Sequence, residues 1–83
     1  MPLKNRLVEG VAMTETEAEL PPAPWDIISH DRDGCFEVRA STGEHVYIYY
    51  EDDPTRRAVM RRFTRDQAKR IALVIAKLPE QAH

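Results

Sequence analysis

The chain has 83 residues, one cysteine, 31% charged residues and a formal net charge of −2. That length holds one small domain, which buries only about 60% of the surface its unfolded chain exposes. A single cysteine excludes an internal disulfide, there is no CxxC or Cys/His zinc spacing, and no apolar run reaches the length of a membrane span. Residues 1–24 also lack the apolar core of a signal peptide, so a reducing cytoplasm is the simplest setting.

The modest net charge hides a division along the chain. Residues 25–53 carry Arg32 and Arg39 against eight acidic residues, a net of −6, whereas residues 54–83 carry eight basic residues against Asp66 and Glu80, a net of +6. Such a dipole bears on partners more than on fold.

Residues 1–24 show no sustained periodicity, a cluster of Thr and Glu, and then Pro21, Pro22 and Pro24. They read as a disordered, acidic tail that ends in a stiff extended segment. Met13 offers an alternative start, with residues 1–12 an over-long leader. Residues 25–80 read as a single β-β-β-α domain.

Trp25–His30 is the first predicted strand. Asp33-Gly34 is a favoured two-residue hairpin dipeptide and predicts Ser29 opposite Val38 and Ile27 opposite Ala40. In the next hairpin a two-residue turn would split the apolar set between faces. A three-residue turn Ser41-Thr42-Gly43, with Gly43 left-handed, instead sets Val38 opposite Val46 and Phe36 opposite Ile48 on one continuous face. Asp53-Pro54 suits an N-cap followed by the first helical position, so either a short helix over 54–62 or an irregular connection follows. Thr64 to Gln67 forms a capping box, and Ala68, Ile71, Ala72, Val74, Ile75 and Leu78 recur at helical spacing until Leu78-Pro79 ends the run.

The fold class is therefore α+β: a three-stranded antiparallel β-meander with a C-terminal α-helix packed on one face. Trp25, Ile27, Phe36, Val38, Val46, Ile48 and Tyr50 should meet the helix. At about 1.5–3 kcal/mol per well-buried large side chain, this core barely offsets the entropy of ordering the domain, and a homodimer would relieve the margin.

Three features carry candidate chemistry. The outer sheet face collects Asp26, Ile28, His30, Cys35, Glu37, Arg39, His45, Tyr47 and Tyr49. Strand tyrosines suit a half-buried pleated surface; Ile28, Tyr47 and Tyr49, with Arg39 beside them, also make a candidate contact patch for a protein partner or a second copy. Stacking of unpaired bases there is opposed by the acidic sheet segment. The basic run Arg56, Arg57, Arg61, Arg62, Arg65, Lys69 and Arg70 is a candidate phosphate or anion site, which makes a nucleic-acid-associated regulator the alternative function. It lacks interleaved aromatics, and the plainer reading is a solvated helix face partly neutralised by Glu51, Asp52 and Asp53 just upstream. Leu73, on the polar side of the helix, hints at a contact there.

Catalytic and metal readings are weaker. His30, His45 and Cys35 share a face without an adjacent pair suited to a tetrahedral site, and Cys35 has Tyr49 rather than a base as its expected cross-strand neighbour. There is no Gly-rich phosphate loop, and a meander this small lacks a deep pocket. The expectation is a non-enzymatic module without cofactor, metal or membrane attachment.

The stretch from Trp25 to Pro79, with "GCFEVR", "VYIYYEDDPTRR" and "TRDQAKRIALVIAKLPE", resembles a group of short bacterial proteins of unknown function. The resemblance implies a small cytosolic meander-plus-helix protein and brings no activity or site residue with it.

Overall fold

The computed structural model describes residues 19–81. The expectations for residues 1–18 lie outside them. Three strands, β1 (Asp26–His30), β2 (Cys35–Arg39) and β3 (His45–Tyr49), form an antiparallel sheet in the order β1-β2-β3. Three helices follow: α1 (Pro54–Met60), α2 (Arg65–Ala76) and the single turn α3 (Leu78–Gln81). The class is α+β, with α2 against one face of the sheet. No helix of the described residues is long and apolar enough to cross a membrane.

The β2–β3 hairpin has the expected register, with Val38 opposite Val46 and Phe36 opposite Ile48. Gly43 is left-handed at φ +102°, and its N–H donates to the Ala40 carbonyl at 3.0 Å. The first hairpin differs from the expectation. Ser29 lies opposite Phe36 and Ile27 opposite Val38, two residues away from a tight Asp33-Gly34 turn. Its loop is Asp31–Gly34, with the His30 carbonyl accepting from the N–H groups of Asp33 (3.1 Å) and Gly34 (2.9 Å). The tight turn needs two left-handed residues. The longer loop needs only one, and Gly34 supplies it at φ +69° while Asp33 keeps a negative φ. The longer loop also frees Asp31 to accept from the Ser29 hydroxyl (2.9 Å), Arg65 (3.3 Å) and the Tyr50 hydroxyl (3.3 Å). A two-residue slip preserves every side chain's face, so the apolar set survives it.

On the inner face Phe36, Val38, Ile48 and Tyr50 pack against Ala68 and Ala72, with Trp25, Ile27, Ile71, Ile75 and Ala76 around them. Both alanines have no exposed surface. Two residues with a single methyl at the contact let the helix backbone approach the sheet closely. The contact stripe is narrower than the sequence suggests, since Val74 and Leu78 stay exposed. Val46, placed in the core by its alternation, is 41% exposed and lies outside the cluster packed against α2.

Helix α1 forms as the Asp53-Pro54 pair implies. The Asp53 carboxylate accepts from the Arg56 N–H at 2.9 Å, and Pro54 occupies the first turn. It stops at Met60, two residues before the expected limit, where Arg61 takes a left-handed conformation at φ 57°. The chain then returns to the sheet through a parallel bridge between Tyr50 and Phe63, with the Glu51 N–H donating to the Phe63 carbonyl at 3.0 Å. Thr64 and Gln67 close the capping box at 3.1 and 3.0 Å. Beyond Lys77 the chain does not run straight out; α3 accepts Pro79 in its first turn, where no N–H is required. Ahead of β1 the proline segment is tied down: the Trp25 indole donates to the Pro21 carbonyl (3.1 Å) and the Ser41 hydroxyl to the Pro22 carbonyl (2.6 Å).

Candidate functional site

The outer face of the sheet is a three-by-three grid. Its rows across the strands are Asp26–Arg39–His45, Ile28–Glu37–Tyr47 and His30–Cys35–Tyr49. The core helix lies on the other side, and no described element covers the grid. Ile28, Arg39, Tyr47 and Tyr49, the residues singled out for contact, are thus neighbours. Tyr47 and Tyr49 are each 44% exposed.

The centre of the grid holds a residue to which the sequence reading assigned no role. Glu37 is only 1% exposed, although it projects from the uncovered face. It is enclosed by its own partners. One carboxylate oxygen accepts from His30 Nε2 at 2.7 Å and from Arg39 Nη2 at 3.2 Å, and the other from Arg39 Nε at 2.9 Å. His45 Nδ1 stands at 3.9 Å. A buried carboxylate without partners would be prohibitively desolvated. Here the Arg39 fork, then the His30 bond, hold the Glu37 carboxyl below the usual carboxylate range, and Glu37 in turn raises Arg39. The signal was present in the alternation: once the register is known, the single acid of the central strand has basic side chains on both neighbouring strands.

Above this charge cluster runs a ladder of rings. His45 and Tyr47 centroids are 5.1 Å apart, Tyr47 and Tyr49 6.3 Å, and His30 and Tyr47 6.2 Å. The Arg62 guanidinium sits 4.9 Å from the Tyr49 ring centre. The result is a braced aromatic platform over a neutralised charge.

Cys35 and His30 face each other across β1 and β2, and Glu37 bonds His30, so the residue types of a nucleophile, a base and an orienting acid are adjacent. The chemistry is nevertheless unfavourable. Cys35 is buried, and desolvation, followed by the charges of Asp33 and Glu37, pushes its thiol up. His30 Nε2 is committed to Glu37. We expect an aromatic disulfide reagent at pH 8 to modify Cys35 in the folded protein at least about 100-fold more slowly than in denaturant, since access requires opening. Equal rates would show an accessible thiol and reopen the nucleophile reading.

The basic run is not gathered into one surface. Arg56 pairs with Glu51 at 3.0 Å, and Arg57 donates to the carbonyls of Glu51 (2.8 Å) and Asp52 (3.3 Å). Arg62 lies over Tyr49 on the outer face. Arg65 pairs with Asp31 at 3.3 Å and covers the rings of Phe36 and Tyr50 on the inner side. Arg61 caps α1, and Lys69 is exposed on α2.

Two concavities lie among the described residues. One, of about 410 Å³, is apolar and lies at the corner of the inner face that α2 leaves uncovered. The other, of about 300 Å³, lies among Asp31, Arg32, Asp33, Glu51, Asp52, Arg56 and Arg62, where acids and bases face each other. Among the described residues no three of His, Cys, Asp and Glu are grouped to hold a metal ion. No family model, no curated protein and no solved structure matches the chain.

Proposed function

We propose that this protein is a non-enzymatic cytoplasmic interaction module that works through protein contacts, and that a second copy pairs with it across the open sheet face. The observation that carries the reading is the half-exposed Tyr47–Tyr49 ladder, braced by His45 at one end and Arg62 at the other. Rigid aromatic side chains lose little entropy on contact and are enriched in interface centres. Charge supports a like-to-like pairing, because Asp26 and Glu37 are balanced on this face by Arg39 and Arg62. A face of zero net charge can meet its own copy without repulsion, whereas nucleic acid requires a positive one.

Sedimentation equilibrium tests this directly. Wild type should dimerise in the micromolar to submillimolar range, on the order expected for a small patch. Tyr47→Ser should weaken the dimer at least about 10-fold with an unchanged circular dichroism spectrum, because Tyr47 lies outside the core. A wild-type monomer at high micromolar concentration would remove the reading. Salt-sensitive binding to nucleic acid in an electrophoretic shift would move the choice to the Arg56–Arg70 run.

A further inference from the structure

We propose a second contact between copies, of a different kind: the C-terminal end of α1 in one copy, Val59 and Met60, seats in the apolar groove beside Trp25 of the next. Helix α1 packs against no other described element and buries none of its seven residues. Val59 is 78% exposed, and Met60 beside it is exposed as well. A helix this short gains little from its own hydrogen bonds. What orders it is the Asp53 cap and the Arg57 bonds to the preceding carbonyls, and these hold an apolar tip outward.

The groove is the complement of that tip. It is walled by Leu20, Pro21, Trp25, Val38, Ala40 and Val46, and Glu19 and Glu44 stand at its edge. The tip bears Arg61 next to Met60, and α1 contains no acidic residue. An aliphatic knob flanked by a cation thus meets an apolar hollow flanked by carboxylates. The same polarity runs through the whole chain, with −6 over residues 25–53 and +6 over residues 54–83.

The tip cannot fill the groove of its own chain. The groove lies at the end of β3 where Glu44, His45 and Val46 stand, and α1 leaves from the opposite end, beyond Tyr50. The length of a five-residue strand, roughly 17 Å, separates them. The contact therefore joins unlike surfaces of two copies, which closes into a ring or continues as a chain. It lies on the inner side of the sheet and does not depend on pairing across the Tyr47–Tyr49 face.

The test uses sedimentation velocity in the Tyr47→Ser background, which weakens the outer-face contact. Two variants are added at exposed positions, Val59→Asp on the tip and Leu20→Asp on the groove, with circular dichroism confirming the fold of each. The Tyr47→Ser protein should still associate as its concentration rises, and each added charge should weaken this at least about 10-fold. An equimolar mixture of the two variants should form a 1:1 dimer and nothing larger, because the intact tip of the Leu20→Asp copy meets the intact groove of the Val59→Asp copy. Added salt should weaken all of these contacts. A monomeric Tyr47→Ser protein, or variants that associate as well as their parent, or a mixture that stays monomeric, would overturn the contact. Association unaffected by Tyr47→Ser but lost in Val59→Asp would instead refute the sheet-face pairing and leave this contact standing.

Discussion

Phe36→Ala is expected to leave the protein without a cooperative unfolding transition at 25 °C. Phe36 is the one buried phenylalanine, at the second position of the central strand. Its ring lies 5.4 Å from that of Tyr50, faces Ile48 across the sheet, and is covered by the Arg65 guanidinium at 5.3 Å. Removing a buried phenylalanine ring costs about 3–5 kcal/mol, from lost transfer energy and the cavity left behind. The helix cannot settle into that cavity, because Ala68 and Ala72 already hold it against the sheet. A domain of this size has roughly 5 kcal/mol in total, so little would be left. Thermal unfolding followed by near- and far-ultraviolet circular dichroism measures this. A sharp transition within a few degrees of wild type would show that the stabilising core lies elsewhere.

The second large effect is a loss of stability in acid. Five carboxylates are held below their usual range in the folded chain. Asp31 is lowered by the Ser29 hydroxyl and then Arg65, and Glu37 by Arg39 and then His30. Glu44 is lowered by the Thr42 hydroxyl, Glu51 by the Asp53 N–H, and Asp53 by the Arg56 N–H. The unfolded chain takes up these protons near its ordinary values of about 4, and the folded chain only at lower pH. Between the two the unfolded state binds more protons, so stability falls as the pH falls. The contribution is complete above about pH 5 and disappears as the folded groups titrate. Unfolding midpoints between pH 7 and pH 2 should therefore drop below pH 5. Glu37→Gln should flatten this acid limb, since it removes one of the five titrating groups. A midpoint that held steady or rose toward pH 2 would contradict the assignment of these partners.

How much of this was legible beforehand differs from element to element. Alternation of apolar residues in Cys35–Tyr50 places each side chain on a face, and the one-residue choice in the Ser41–Gly43 turn follows because the other option splits the apolar set. The Thr64–Gln67 box and the Asp53-Pro54 pair likewise announce where helices begin, since capping is chemistry between residues three apart. Such features are local, so the sequence alone determines them. A slip of two residues in the first hairpin is invisible to alternation; it was decided by which loop needs a single left-handed residue and lets Asp31 meet Arg65 from a distant helix. The burial of Glu37 is likewise a tertiary result, because Arg39 lies two residues along the same strand but His30 reaches the carboxylate only once β1 is in register beside β2. How closely α2 lies on the sheet is set by Ala68 and Ala72. Val46 and Trp25 line an open corner of the inner face, and α1 makes no contact with another described element; both matter only once the chain is seen in three dimensions.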